Sequence, residues 1–464
     1  MPINSKHPDY AAMQSRWVRM FDVCDGEDTI KKKETAYLPK PNPYDNSKES
    51  RLRYQEYLGR AVFIEVTKDT LDKYAGQAFS DDPVLNVDGK LDYLKQNATG
   101  TGNTIYQVAQ KCFIDLLRYG RAGILVDYPQ IDVPEVSIST TEELFLRPRM
   151  VYYDAFNIIN WRVKDNKLMM VVLAEEAESQ GDDEFTIKTV KQYRYLGLDD
   201  NGFFVEIWQE GQGGIHQVGD RHYPKLHGNK PLDSIPFVII GADSNDFEQQ
   251  SIPLESLAKV NLAHYRNSAD YEDSVFRCGQ IQGVISGVSV ERMQHLEKKG
   301  IKLGSAATLM LEPNSTFEYA QANPNSMVYE AMQDKYALMK QLGAKLVETT
   351  TNKTATQSSQ EHSTQNSIAS KCIANLNEAF NLALVYVYQY ANIAYSEAVS
   401  FKAKQEFVSV AADPAIMTAL MGFVQSGIAP KSVIFNYLRK HNLLDSELSD
   451  DDIIGMIDAD GLIE

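Results

Sequence analysis

Residues 257–280 read LAKVNLAHYRNSADYEDSVFRCGQ. Together with Leu254, they put Leu257, Ala258, Leu262, Tyr265 and Ala269 three or four positions apart, which predicts one apolar face of a helix reaching about Phe276. Pro253 suits the first turn of that helix, where a missing N–H does no harm. The segments that follow set the architecture. GQIQGVISGV at 279–288 has a strand pattern, Ser289 is an N-cap candidate for a helix over 290–299, and 306–311 reads as a second strand. Asn323-Pro324 breaks the chain. A second long helix covers 326–347, with Met332, Tyr336, Met339, Leu342 and Leu346 on one face. TTTNKTATQSSQEHSTQNS then occupies 349–367, with no Gly or Pro and Ala355 as its only apolar residue, and reads as a polar loop before a third long helix over about 367–397. The order is helix, small α/β insert, helix, polar stretch, helix.

Upstream the chain divides in two. Helices are expected at 10–21, 47–63, 70–77 and 105–119, with a basic, proline-rich loop (Lys31, Lys32, Lys33, then YLPKPNP) among them. From residue 122 the period changes to two: 122–126, 149–153, 158–163, 169–174, 185–195, 203–208 and 235–240 read as strands of a mostly antiparallel sheet, and Asn201-Gly202 signals a hairpin. Downstream, 404–410 is strand-like, short helices lie near 415–426 and 432–439, and the sequence ends in acidic SDDDIIGMIDADGLIE.

A length of 464 residues suits about two to four domains. The hydrophobic fraction of 43% supports substantial cores, and the net charge of −17 argues against phosphate grasping as a main source of affinity. Cys24, Cys112, Cys278 and Cys372 are far apart and lack zinc spacing, so they read as reduced thiols, mostly buried, in a cytoplasm. No signal peptide or membrane span is expected.

Enzyme motifs fail one by one. Gly89-Lys90 lacks the rest of a P-loop, and TGTGNT at 99–104 reads as a capped helix start. GVISG at 283–287 has its serine one place too late for a nucleophile elbow. His216, His222 and His227 match no helix face and fall in what reads as an exposed loop, and the C-terminal aspartates lack EF-hand spacing. The residues therefore indicate no catalytic site, no metal and no cofactor.

Several strings together carry a resemblance: YLPKP from Tyr37, YQEYLGRAVF from Tyr54, TKDTLDKYAGQAF from Thr67, NIINWR at 157–162, IPFVIIGAD at 235–243 and the opening 257–280 block. Over about 37–394 the chain resembles a phage-related family of portal-type proteins long filed as a domain of unknown function. The resemblance implies an α+β portal fold, with a helical stem, an α/β wing, a small α/β clip and a largely helical C-terminal half. On that plan 1–251 is wing, 252–277 the first stem helix, 278–323 the clip and 324–348 the second stem helix. Residues 349–366 are then the tunnel loop, 367–400 a long wing and crown helix, and 401–464 the crown.

The implied role is non-enzymatic. It is a cyclic homo-oligomer of about twelve subunits at one capsid vertex, through which double-stranded DNA is packaged and ejected. The implied partners are the terminase large subunit, head–tail adaptor proteins, and the major capsid and scaffolding proteins, with no membrane. The ring would be assembled in the host bacterial cytoplasm and carried in the virion. Thr351, Asn352, Lys353, Thr354, Gln357, Ser358, Ser359 and Gln360 would face DNA, with Lys353 the main cation of an otherwise acidic or polar tunnel. Gln280, Ile281, Gln282, Val284, Thr308 and Met310 would make contacts between subunits or with partners in the clip. Two other readings stay open: a head–tail adaptor without a genome channel, and an enzyme that cuts or joins DNA.

Overall fold

The computed structural model describes residues 2–129, 146–179, 187–211, 213–280, 282–300, 310–320, 326–343, 355–404, 414–440, 443–444 and 448–460. Helix α1 (Pro8–Asp25) starts with proline at its first position and with His7 Nδ1 accepting the Asp9 N–H. Its stripe of Tyr10, Met13, Trp17, Met20 and Cys24 is buried, and Trp17 Nε1 donates to the Tyr119 carbonyl at 2.9 Å. That bond joins α1 to the end of α6 (Ile105–Tyr119). Helix α6 opens on a reciprocal cap: Thr104 Oγ1 accepts the Gln107 N–H at 3.1 Å, and Gln107 Oε1 accepts the Thr104 N–H at 2.9 Å. It closes on Gly120 at φ +79°, where a Cβ would lie 2.3 Å from the Ser251 carbonyl oxygen. Conformation and crowding both require glycine there.

Strand β2 (Arg121–Asp127) follows at once and is buried over its first six residues. It is the centre of an antiparallel sheet, between β11 (Phe237–Gly241) and β3 (Arg149–Asp154). Both α6 and the long helix α10 (Ala355–Ala391) pack on it, which explains a continuous apolar run in place of alternation. A second, five-stranded antiparallel sheet runs in chain order through β4 (Ile158–Lys164), β5 (Lys167–Ser179), β6 (Lys188–Asp199), β7 (Gly202–Gly211) and β8 (Gly214–His222), and a short pair, β9 (Lys225–Leu226) and β10 (Lys230–Pro231), follows. The β4–β5 turn puts both Asp165 and Asn166 at positive φ. The expected β6–β7 hairpin forms around Asp200 and Asn201, with Gly202 at φ +105°.

Helices α2 (Glu27–Lys32), α3 (Lys48–Arg60), α4 (Val66–Ala78) and α5 (Leu94–Asn97) lie among these elements. The C-terminal half contains α7 (Glu255–Gly279), β12 (Gln282–Ser286), α8 (Val290–Lys299), β13 (Thr316–Ala320), α9 (Ser326–Leu342) and α10. Then come β14 (Ser400–Lys402), α11 (Pro414–Gln425), α12 (Ser432–Lys440) and α13 (Asp450–Asp460). One contiguous core reaches from Tyr10 to Ala403 and includes Leu257, Tyr265, Met339, Phe380 and Leu384. The α+β class is as expected. The N-terminal layers, the first half of α7 and α10 from Ala369 onward pack as one body.

Five expectations need correction. Lys31 and Lys32 are not in a loop; they end α2, where cations suit the helix dipole, with Lys31 at 3.0 Å from Glu27 and Lys33 at 3.6 Å from Asp22. The stretch from His216 to His222 is not a loop but β8, held by its ladder with β7 and exposed along its length, so it has no alternation to read. Of the strand expected over 306–311, Met310 and Leu311 lie outside any strand and 306–309 lie outside the described residues; β12 pairs with 316–320, after the turn at Asn314 (φ +71°). Helix α10 starts at Ala355, not 367: a run of Gln, Ser, Thr and Glu is polar but contains no helix breaker. Finally, β14 pairs with β1 (Val84–Asn86), so a crown boundary at 401 cuts a strand of the main body. The strand expected over 404–410 lies, beyond Lys404, outside the described residues.

Candidate interaction surface of the helix–insert–helix segment

Helix α7 has a rooted half and a free half. Leu257, Ala258, Leu262, Tyr265 and Ala269 are buried, and polar side chains between them tie the helix to the N-terminal chain. Asn261 Oδ1 accepts from the Thr67 N–H (3.1 Å) and hydroxyl (2.9 Å), while its amide donates to the Ile64 carbonyl at 2.8 Å. Ser268 Oγ donates to the Val62 carbonyl (2.7 Å), and Arg266 Nε donates to the Tyr37 carbonyl (2.9 Å). At the helix start Glu255 meets Arg16 at 2.6 Å; the hydrogen bond from Arg16 is the main reason its carboxyl titrates below the usual range.

The change from rooted to free occurs at Asp270 and Asp273. Tyr57 Oη donates to Asp270 at 2.6 Å, and burial, followed by that bond, pushes the phenol up. Asp273 is surrounded by Arg53, by Arg60 at 3.3 Å and by Arg277 at 3.2 Å, and the Arg60 guanidinium lies 3.7 Å from the Phe276 ring centroid. Beyond this cluster the helix leaves the core, and Val275 and Phe276 are exposed.

Helix α9 returns beside α7, with the Tyr271 and Tyr329 rings 5.8 Å apart. Met339 is its one buried residue among those described. Gly343, just past its end, fits so closely that a Cβ would lie 2.6 Å from Leu257 Cδ2 and 3.0 Å from Thr70 Cγ2. The remainder of α9 shows Met327, Tyr329, Tyr336, Leu338 and Leu342 to solvent.

Between the two helices lies the insert. β12 and β13 pair from Gln282↔Ala320 to Ser286↔Thr316. Ser289 caps α8 as expected, accepting from the Arg292 N–H, while Glu312 accepts from both the N–H and the hydroxyl of Ser289 at 2.8 Å. Yet no described residue of 282–300 or 310–320 is buried. Tyr319 is 62% exposed, Val290 66% and Met310 74%. The described residues of the insert have backbone order without a buried side chain among them.

The structure places the expected contact residues as follows. Gln280 caps the C-terminus of α7, and Gln282 and Val284 lie on β12 opposite Ala320 and Glu318. Met310 is exposed ahead of β13. These four belong to one insert; Ile281 and Thr308 lie outside the described residues. Gln357, Ser358, Ser359 and Gln360 are in the first turns of α10, and Thr351, Asn352, Lys353 and Thr354 lie outside the described residues. Sequence reasoning missed the Arg53–Arg60–Asp273 cluster and Gly343, because both depend on contacts with residues distant in the chain.

Among the described residues no group of His, Cys, Asp or Glu is able to hold a metal, and no helix is long and apolar enough to cross a membrane. Cys24, Cys112 and Cys372 are buried thiols; burial raises Cys24 to about 11 and Cys372 to about 12.

A family model overlies this segment. It is described as a domain of unknown function (DUF4055) and matches residues 253–391, from α7 through the insert and α9 to the end of α10. No curated protein matches the chain. Among solved structures, a chain from "Virion of native gene transfer agent (GTA) particle" is similar at 12% identity and a TM-score of 0.40, with 87% of this chain and 95% of that chain covered. A chain from "Neck of empty GTA particle computed with C6 symmetry" is 12% identical at a TM-score of 0.42, covering 80% and 90%. One from "Neck of native GTA particle computed with C12 symmetry" is 14% identical at 0.39, covering 87% and 95%.

Proposed function

We propose that the chain is a ring-forming portal of a tailed-phage-like particle: a non-enzymatic channel for double-stranded DNA and a docking site for the packaging motor and head–tail adaptors. One observation carries the reading. The insert 282–320 is a two-stranded sheet and a helix without a buried side chain among the described residues, held out on two helices that are themselves apolar on their outer sides. A two-stranded sheet without a packed face is not stable in water. The described residues give it no core, and an identical neighbour supplies one to every copy when the interface is head-to-tail and closes into a ring. Val284, Tyr319 and Met310 are the side chains such a neighbour covers, and the resemblance to portal-type proteins implies about twelve copies.

The matched family model supports the same segment as the functional unit, since it spans helix, insert, helix, polar stretch and long helix. The balance of −17 supports a channel that lets DNA slide. Duplex DNA carries a charge about every 1.7 Å, and an unbroken basic wall would hold it through counterion release. The DNA-facing element takes in residues 351–354 and the first turns of α10, with Lys353 its main cation. Deleting 351–360 tests this part: rings should still form, while packaged DNA per particle falls. Normal packaging and retention in the deletion variant would remove the tunnel assignment.

A further inference from the structure

Strand β11 is an edge strand, and its outer edge is only partly satisfied. The Val126 N–H donates to the Pro236 carbonyl at 2.8 Å, which puts the ladder bonds to β2 on residues 236, 238 and 240. The N–H and C=O groups of Phe237, Ile239 and Gly241 therefore point away from β2. Gly241 is provided for: its N–H reaches Asn245 Oδ1 at 3.3 Å and its carbonyl accepts from Asn375 at 2.8 Å. The Phe237 N–H turns back to the Ile235 carbonyl at 2.8 Å. Among the described residues nothing partners the outward N–H and C=O of Ile239, although Ile239 is 5% exposed. Buried backbone groups without partners are rare.

This edge forms part of the lining of a cleft of about 340 Å³ between the β4–β5 turn and α10. Phe237, Leu168, Phe247 and the exposed Leu382 make it apolar, and Asp246 and Glu378 make its rim acidic. An open strand edge, an apolar lining and an acidic rim together specify one kind of occupant. We propose that the cleft is a strand-addition site for an extended peptide segment of another protein chain, apolar at its centre and flanked by Lys or Arg. The central residue of the segment exchanges two backbone hydrogen bonds with Ile239, neighbouring side chains enter the cleft, and a flanking cation meets Glu378.

The test uses the purified full chain and fluorescein-labelled peptides with the core Lys-Val-Thr-Val-Lys. Three forms are compared: the parent, one N-methylated at the central Thr, and one with both Lys replaced by Glu. The parent should bind at least about tenfold more tightly than either other form, since one loses the strand bond and the other meets like charge. Glu378 is a surface residue, so Glu378→Lys should fold normally and reverse the preference between basic and acidic peptides. Leu382→Glu should weaken the parent peptide. Failure of the parent to bind at millimolar concentration overturns the proposal, as does equal binding of the N-methylated form or an unchanged charge preference in Glu378→Lys. None of these outcomes depends on ring formation.

Discussion

Asp115 shows how one buried group sets a measurable property. It lies on α6 at 4% exposure, paired with the Tyr152 hydroxyl, with Arg118 at 3.9 Å. Burial raises its carboxyl to about 8; Arg118 opposes this, and nearby Asp154 adds to it. An unfolded Asp titrates near about 3.9. Between roughly pH 4 and pH 8 the folded chain thus keeps a proton that the unfolded chain has released, so stability falls as pH rises through that window. Asp115→Asn removes the titration and preserves the shape. Its melting temperature should exceed that of the native chain at about pH 8 and depend less on pH. Parallel melting curves for the two proteins across the window would contradict the assignment. Gly343 provides a second check, since a Cβ there meets Leu257 and Thr70. Gly343→Val should cost about 1–3 kcal/mol in urea unfolding. At this scale the sequence was readable where a pattern is local, as in the buried stripe of Ile105, Val108, Cys112 and Leu116. The need for glycine at 343 was not, because the crowding comes from residues distant in the chain.

At the scale of elements, local chemistry again decided what could be read. Helix α6 has the expected bounds because its cap and its terminating glycine are both in the sequence, and Ser289 marks the start of α8 in the same way. β8 was missed because both its faces are wet, β13 because Met310 and Leu311 imitate an apolar strand, and the start of α10 because polarity was taken for a break. The insert has a consequence for stability. A segment whose described residues bury no side chain adds little to the folding of a single chain. Replacing 280–323 by a short Gly/Ser linker should leave the melting temperature of the monomer within about 2 °C while abolishing higher assembly. Scanning fluorimetry beside mass photometry checks both halves. A large loss of monomer stability would show that the insert packs against its own chain.

For the whole molecule, one core from Tyr10 to Ala403 holds α7 against α1, α3 and α4 and holds α10 against α6 and the β11–β2–β3 sheet, and α9 is pinned to it near Met339 and Gly343. The insert is carried away from that body on the free ends of α7 and α9. An isolated chain would expose Val275, Phe276, Met327, Tyr329 and Leu338 together, more apolar side chain along one helix pair than a solitary surface usually shows. The helix, insert, helix, polar stretch, helix order was legible from apolar periodicity alone. How those elements join into one body was not, since the β1–β14 pairing and the packing of α10 on β2 are long-range. The central claim is that neighbouring copies supply the missing core of the insert, and single-particle imaging of the purified full chain tests it most directly. The account predicts closed rings of about twelve subunits, with residues 282–320 at the contacts between neighbours and Tyr319 and Met310 buried there. A monomeric particle with a well-ordered insert, or rings in which the insert touches no neighbour, would contradict it.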